Sequence, residues 1–258
     1  AMKRREIPRR FWLAGALLLA FILLPLLSLL FSSSPAALAQ TLVDAEVLRS
    51  LGVTFAGAGI ATALGLLLGL PLAFLLARAS FPGKGWVEAL VDLPVIIPHT
   101  AAGVALLLVF GRQGVLGRWL TPLGLYFTDN LAGIVVAMLF VSLPLLVHPA
   151  RAALVQLDRE VEQSARVDGA SGWQVFWQIM LPQAWRGVFS GALMMWARGI
   201  SEFGAVVILA YHPKVAPVLV FERFNGFGLD AALPVAVILV GVALLVFGSL
   251  RWLAREAA

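Results

Sequence analysis

Arg198 and Glu202 are two charged side chains within an apolar stretch, and their spacing lets them interact. They are four residues apart, so on a helix they share one face and can form an ion pair. A charge at a bilayer centre costs about 2.5–3.5 kcal/mol on insertion scales, so such residues usually face a bundle interior or a water-filled cavity. Two interpretations stay open. The pair either braces its helix against a neighbouring helix or lines a path for a solute.

His99, Thr100 and Ser201 could add uncharged polar groups to such a path. His99 and Thr100 are either buried polar groups with partners inside the protein or ligands of an anion. Ser201 offers a hydroxyl close to Arg198 without adding a charge. Glu202 would repel an anion, so its expected role is to neutralise Arg198 and prevent the anion from being trapped.

Residue patterns typical of covalent catalysis or metal binding are absent from the sequence. It contains no cysteine, and its three histidines, at positions 99, 148 and 212, are too scattered for a metal site. The patterns H-E-x-x-H and G-x-S-x-G do not occur, and neither does the phosphate-binding pattern G-x-x-x-x-G-K-[ST]. We therefore expect no catalytic residue, no metal and no cofactor on this chain, and an intramembrane enzyme is disfavoured.

The composition is that of a membrane protein. Of the 258 residues, 61% are hydrophobic and 13% are charged, whereas soluble domains have about 45–50% apolar and about 25% charged residues. A soluble domain of this size could not bury so much apolar surface, so lipid is the expected solvent. The net charge of +5 is then attributed to basic loops and not to nucleic-acid binding, because no basic stretch is interleaved with exposed aromatic residues.

Six stretches are apolar enough to cross a membrane as helices, each needing about 20 residues. They cover residues 11–31, 52–77, 94–110, 131–147, 187–210 and 233–253. The predicted fold is all-α, with 1–258 as one transmembrane domain. The third stretch is expected to begin near Pro94 and to be distorted by Pro98. Two G-x-x-x-G patterns, at 65–69 and 187–191, predict close helix packing, within the chain or at a subunit interface.

Basic residues predict the orientation of these spans. Thirteen Lys and Arg residues would lie on the side of the two termini and five on the other side. An excess of basic residues marks the cytoplasmic side, so both termini are expected in the cytoplasm of a cell-membrane protein. The basic start (Lys3, Arg4, Arg5, Arg9 and Arg10) and Ala37-Leu38-Ala39 imitate a cleaved signal peptide. The apolar run between them is longer than the about 7–15 residues of such peptides, so we expect a retained first helix.

Residues 148–186 form a long, amphipathic segment on the predicted cytoplasmic side. Asp158 is placed to cap a first short helix, and Gly169 to end it in a left-handed conformation. Ser171 begins an S-x-x-Q capping box, which predicts the start of a second helix. Pro182 should end that helix, because the residue before a proline avoids the helical region.

Trp173, Phe176 and Trp177 share one face of this second helix. A helix of about two turns is marginal in water, so these aromatic side chains need a surface to pack against. They either pack on the ends of this protein's own helices or at the lipid interface, or they dock a soluble partner, as aromatic residues do at interface hot spots.

The same segment resembles the EAA loop of ABC-importer membrane subunits. That loop reads Glu-Ala-Ala, three residues, Gly, nine residues and Ile-x-Leu-Pro, and Gln163-Ser164-Ala165 holds the Glu-Ala-Ala position here. The Gln and Ser are departures, and the first puts in question any contact that needs a carboxylate at 163. The resemblance implies that the loop couples the chain to a separate ATPase through Gln163, Ala165, Asp168, Gly169, Ser171, Trp173, Phe176, Trp177, Ile179, Leu181 and Pro182.

Three further runs resemble the molybdate/tungstate branch of the oxyanion permeases, to which the sulfate/thiosulfate branch is close kin. The runs are 92–103, 110–117 and 196–205. The resemblance implies a type I importer permease that forms a pore as a homodimer and alternates between outward and inward openings. ATP and Mg would bind to the partner ATPase, and a periplasmic or surface-tethered binding protein would deliver the oxyanion. A sulfate permease and a passive channel are the alternatives.

Overall fold

The computed structural model describes residues 9–256, and every regular element in that range is helical. In chain order the helices are α1 (Arg9–Leu30), α2 (Pro35–Leu42), α3 (Ala45–Arg78), α4 (Lys84–Ile96), α5 (His99–Phe110), α6 (Gly117–Leu120), α7 (Leu131–Ser142), α8 (Pro144–Val155), α9 (Arg159–Val167), α10 (Gly172–Gln174), α11 (Leu181–Ile200), α12 (Gly204–Leu209), α13 (Ala216–Phe227) and α14 (Leu229–Glu256). A 3-10 turn, Thr121–Leu123, follows α6, and a π-helical turn, Val175–Met180, joins α10 to α11. Lys3, Arg4 and Arg5, used above for the orientation, lie outside the described residues.

Three helices are long and apolar enough to cross a membrane. They are Arg9–Leu30, Ala45–Arg78 and Leu229–Trp252, and they lie over the first, second and sixth predicted stretches. Two bent pairs, α4 with α5 and α7 with α8, pass the same test together, which gives up to five candidate spans among the described residues. The predicted fifth stretch, 187–210, is not one of these, so a count of six spans stays a prediction.

The predicted third stretch, 94–110, begins too late, whereas the distortion predicted at Pro98 is confirmed. Helix α4 already begins at Lys84 and contains Pro94, and the chain breaks between α4 and α5 with a bend of 115°. Pro98 causes the break, because its ring forces the preceding residue out of the helical region. Ile97 accordingly has an extended ψ of 144°.

The predicted fourth and fifth stretches also differ from the helices found. Helices α7 and α8 continue beyond 147 to Val155, with a bend of 48° where α8 starts at Pro144. Helix α11 starts at Leu181 and ends at Ile200, so residues 201–203 interrupt the stretch predicted as 187–210. The hydropathy pattern did not predict this interruption, because the apolar residues before and after residues 201–203 make 187–210 resemble one continuous span.

Pro182 does not end the second helix of the loop, contrary to the prediction. In an α-helix its ring would strike the carbonyl of Gln178. The π-helical turn before it changes the hydrogen-bond register, so that the N–H of Leu181 bonds to the carbonyl of Phe176, five residues back. The wider turn accommodates the proline, and the helical run continues from Gly172 into α11.

Both G-x-x-x-G patterns pack helices within the chain. A Cβ added at Gly65 would lie 2.5 Å from the Met195 side chain, and one added at Gly187 would overlap with Cβ of Ala153. Gly191 meets the backbone of Leu146, whose carbonyl oxygen would lie 3.0 Å from an added Cβ. The glycines therefore bring α3, α8 and α11 into close contact, and this trio forms the centre of the bundle.

Candidate functional site

A polar cluster forms where two interrupted helices meet inside the bundle. Helix α5 begins at His99, directly after the break at Pro98, and α12 begins at Gly204, directly after the break at 201–203. A Cβ added at Gly204 would lie 2.8 Å from Cβ of His99, so the two helix starts are in close contact. The two breaks thereby bring together side chains that are 99 positions apart in the sequence.

Arg198 is the centre of this cluster. Its Nη2 lies 2.7 Å from Oε2 of Glu202, which is the ion pair expected from the spacing, and 2.7 Å from Nδ1 of His99. Its Nη1 donates to Oγ of Ser201 at 3.2 Å. Arg198, His99, Ser201 and Glu202 are thus brought together, whereas Thr100 is exposed at the next position of α5 and stands outside these contacts.

Glu202 is buried, with 1% of its side chain exposed. Its Oε1 accepts the backbone N–H of Ala205 at 2.8 Å, so the carboxylate also satisfies the first turn of α12. Its Oε2 is 3.3 Å from Nδ1 of His99. A buried carboxylate needs this set of partners, since an unpaired charge in the interior is costly. Glu202 therefore holds α12, α11 and α5 together.

The exposed part of the cluster is uncharged or cationic. His99 is 40% exposed and Arg198 is 23% exposed, and Ser201 is exposed beside them. Because Glu202 neutralises Arg198, the cluster attracts an anion with less than the full strength of a free guanidinium. Such a surface can contact an oxyanion through hydrogen bonds and release it again, which suits transport better than tight binding.

The helix caps predicted for the segment 148–186 are present. Asp158 accepts the N–H of Glu160 at the start of α9, and Gly169 has a φ of +90° directly after Asp168, the C-cap of α9. Ser171 and Gln174 form a reciprocal capping box. These local signals fix a sharp turn between two helices, as the sequence indicated.

The residues of the EAA resemblance divide between buried and exposed positions. Ala165 and Leu181 pack against a buried apolar cluster that includes Leu154 and Met180, and Ile179 is half-buried. The exposed members are Gln163, Asp168, Gly169, Ser171 and Pro182. The loop therefore has an inner face fixed to the bundle and an outer face that is free in this chain.

The three aromatic side chains of the loop divide in the same way. Phe176 is buried and packs edge-on against Phe74 of α3, with ring centroids 5.0 Å apart. Trp173 is 69% exposed and Trp177 is 46% exposed, and their rings lie 5.4 Å apart. The interpretation that this face packs on the protein's own helices is confirmed for Phe176, whereas docking of a partner by the two exposed indoles stays a prediction.

An ion network at the opposite end of α3 was missed by sequence reasoning. Lys214 contacts Glu46 at 2.9 Å and Glu222 at 2.7 Å, and Arg223 contacts Asp44 at 2.6 Å. The hydroxyl of Tyr211 donates to Glu222 at 2.9 Å. These residues connect the start of α3 with α13 and the loop before it. The only sequence signal was the presence of opposite charges in two distant loops, since Lys214 and Glu46 are 168 positions apart.

The pKa values of this network, which lies outside the predicted spans, are shifted by its hydrogen bonds. The Arg223 guanidinium lowers the pKa of Asp44, and the Lys214 ammonium lowers the pKa of Glu222. Hydrogen bonds to Glu222 and Glu46 raise the pKa of Lys214, and the hydrogen bond to Glu222 raises the pKa of Tyr211. Each shift favours the charge state that keeps the network closed.

Comparison with known proteins supports the family resemblance found in the sequence. Residues 65–257 match the family described as binding-protein-dependent transport system inner membrane component. The chain is 45% identical over 241 residues, 93% of this chain and 92% of the relative, to the molybdate/tungstate transport system permease protein WtpB of Pyrococcus furiosus. It is 33% identical to the sulfate transport system permease protein CysT of Synechocystis, with 88% of this chain and 82% of the relative covered.

The fold is shared with a solved transporter structure. A chain of the bacterial alginate ABC transporter, solved in complex with an alginate pentasaccharide-bound periplasmic protein, superimposes with a TM-score of 0.76. The match covers 96% of both chains at 19% sequence identity. The helix order and packing described above are therefore those of a known transporter fold.

Proposed function

The chain belongs to the family of binding-protein-dependent transport system inner membrane components, and on this premise we propose that it is the permease subunit of an ABC transporter that imports molybdate or tungstate. It is a multi-pass membrane protein of a transport family and not an enzyme. The observation that carries the cargo is the 45% identity to a molybdate/tungstate permease over 93% of the chain. The sulfate permease is more distant, at 33%.

The translocation path is proposed to pass the cluster of Arg198, His99 and Ser201, with Thr100 exposed beside it. The cluster lies at two helix breaks, and irregular backbone at membrane depth is tolerated where it lines a cavity or is buried in protein. Glu202 holds Arg198 in place and reduces its charge, so that a tetrahedral dianion passes without being trapped. Affinity then resides in a separate binding protein that delivers the oxyanion.

The driving step is proposed to come from a separate ATPase subunit that binds ATP and Mg and docks on the loop 148–186. Trp173 and Trp177 are the exposed anchors for this docking, and Phe176 passes the displacement to α3 through its contact with Phe74. Differential contacts of the ATPase states with the loop shift the population between an outward-open and an inward-open packing.

A second copy of the chain is proposed to complete the pore, with both termini in the cytoplasm. Helix α1 supports this proposal, because it is almost entirely apolar after Arg9 and Arg10 and yet none of its residues is buried in the single chain. Lipid and a second protomer are the surfaces that can cover such a helix.

Uptake into proteoliposomes tests the proposed function. The permease is purified with the ATPase and the binding protein of its transport system, and ATP-dependent accumulation of molybdate and tungstate is measured by elemental mass spectrometry. Accumulation that excess sulfate does not reduce supports the proposal. Accumulation of sulfate alone would favour the sulfate permease, the second candidate. Equal uptake with and without ATP would instead identify a passive channel.

A further inference from the structure

A recess lined by arginine side chains lies where the end of α3 meets α9. It has a volume of about 250 Å³ and is lined by Arg78, Arg159, Glu162, Gln163 and Arg166, and we refer to it as the arginine recess. Its lining carries three positive charges and one negative charge. The recess is next to the exposed face of the loop that carries Trp173 and Trp177.

The one carboxylate in the arginine recess already contacts two arginine side chains. Oε2 of Glu162 lies 3.1 Å from Nε of Arg78, and Oε1 lies 2.8 Å from Nη2 of Arg166. Only 14% of the Glu162 side chain is exposed. One carboxylate therefore serves two guanidinium groups, and the recess keeps a surplus of positive charge.

The arginines differ in how firmly they are held. Arg78 is 11% exposed, and its Nη2 donates to the carbonyl of Leu157 at 3.2 Å, so it is fixed in the floor of the recess. Arg166 is 53% exposed, and Arg159 is also exposed at the rim. Their N–H groups can turn towards a ligand that approaches from outside the bundle.

Gln163 adds no charge at the rim. It is exposed and holds the position that the EAA pattern gives to a glutamate. With Gln163 neutral and Glu162 turned inward, the lining of the recess offers a partner no free carboxylate. A partner that covered the recess without supplying a negative charge would bury guanidinium groups with incomplete compensation, which is unfavourable.

We infer that the arginine recess receives an aspartate or glutamate side chain of the ATPase subunit. This inference rests on the proposed function. A carboxylate between Arg159 and Arg166 would form charge-assisted hydrogen bonds, which are among the stronger ones in proteins. Opposite charges across an interface also fix its register and speed association.

A protein carboxylate fits the recess better than an anionic lipid headgroup does. The recess lies at the last residue of α3, where that helix meets α9 on the loop side of the bundle, and not between two spanning helices. Glu160 and Asp168 are exposed and are close to Arg159 and Arg166 in the sequence, but do not line the recess. Exposed carboxylates oppose an extended anionic surface that covers them, whereas a single carboxylate side chain needs to contact only the lining arginines.

The substitution Gln163→Glu tests the inference by the sign of its effect. It places a negative charge at the rim at an exposed position, so the fold is expected to tolerate it. If the partner presents a carboxylate, affinity for the purified ATPase in lipid nanodiscs should fall about two- to fivefold, the range for one exposed charge pair. The loss should diminish as salt is added. Arg159→Glu should lower the affinity in the same direction.

Gln183→Glu is the matched control, because Gln183 is also exposed at this end of the bundle but lies outside the arginine recess. Its affinity should equal that of the wild type. Unchanged or increased affinity of Gln163→Glu would overturn the inference, and so would a loss seen in anionic nanodiscs but not in neutral ones. Failure of the wild-type chain to bind the ATPase at all would instead contradict the proposed function.

Discussion

The two ends of α3 organise charge in opposite ways. At the end near Asp44, carboxylates and cations of different elements form a closed network that leaves Lys214 only 19% exposed. At the end near Arg78, the arginine recess keeps unbalanced positive charge, and two indoles lie exposed beside it. At the first end, cations and carboxylates pair within one chain. The second end has the surplus positive charge and the exposed aromatic surface typical of a protein interface. A single helix of 34 residues thus connects a structural end with an interaction end.

The largest expected effect distinguishes the anchoring role of Phe176 from the proposed docking role of Trp173 and Trp177. Phe176→Ala should lower the free energy of unfolding by about 3–5 kcal/mol, because it empties a buried site. The double substitution Trp173→Ala and Trp177→Ala should change stability less, because Trp173 is 69% exposed and Trp177 is 46% exposed, but should abolish co-purification of the ATPase. Thermal unfolding in detergent and a pull-down measure the two properties. Normal co-purification of the double variant would contradict the docking role of this end.

Substitutions in the polar cluster at the helix breaks test whether its charges stabilise the fold by pairing with each other, as those of the network near Asp44 do. Arg198→Met leaves the buried Glu202 without its cation, which should cost about 3–5 kcal/mol of stability. Adding Glu202→Gln should recover part of that loss, because no unpaired charge then remains. Thermal unfolding of the single and double variants gives the comparison. Equal destabilisation would mean that Arg198 has a task apart from this pair.

The smallest expected effect concerns the ion network near Asp44, whose stabilisation should depend on pH. Asp44 and Glu222 have lowered pKa values in the folded state, so their contribution is present above about pH 4 and is lost as acid protonates them. Lys214 and Tyr211 have raised pKa values, so their contribution is present below about pH 10 and is lost as the pH rises further.

The variant Lys214→Gln isolates that dependence. The difference in unfolding temperature between wild type and Lys214→Gln should be constant between about pH 5 and pH 9 and should shrink on either side. Arg118→Gln, which changes an arginine in α6, outside this network, should show no such profile. A difference that does not vary from acid to alkaline pH would mean that the network does not stabilise this end.

Local signals predicted the features that depend on neighbours in the sequence. Asp158, Gly169 and Ser171 act through backbone groups within three or four residues, so their caps could be assigned from spacing alone. Long apolar runs likewise placed α1, α3 and α14. The Arg198–Glu202 pair was predictable for the same reason, since one turn of helix separates the two residues.

Features that depend on distant or competing interactions could not be predicted in this way. Pro94 and Pro182 lie inside helical runs, although a proline disfavours the interior of a helix. Surrounding packing compensates at Pro94, and the π-helical turn compensates at Pro182. The contacts of His99 with Arg198 and of Lys214 with Glu46 join elements far apart in sequence. Their geometry is set by the helix bends, and no pattern in a single sequence reveals those angles.

The π-helical turn before Pro182 has a consequence for the direction in which the indoles point. Each residue of an α-helix advances the side-chain azimuth by roughly 100°, so a change of one residue in hydrogen-bond register rotates everything on the N-terminal side relative to α11. An ordinary α turn would aim Trp173 and Trp177 at a different part of their surroundings. Pro182 and the π-helical turn that accommodates it therefore determine the orientation of the indole surface. That is the surface proposed to bind the ATPase.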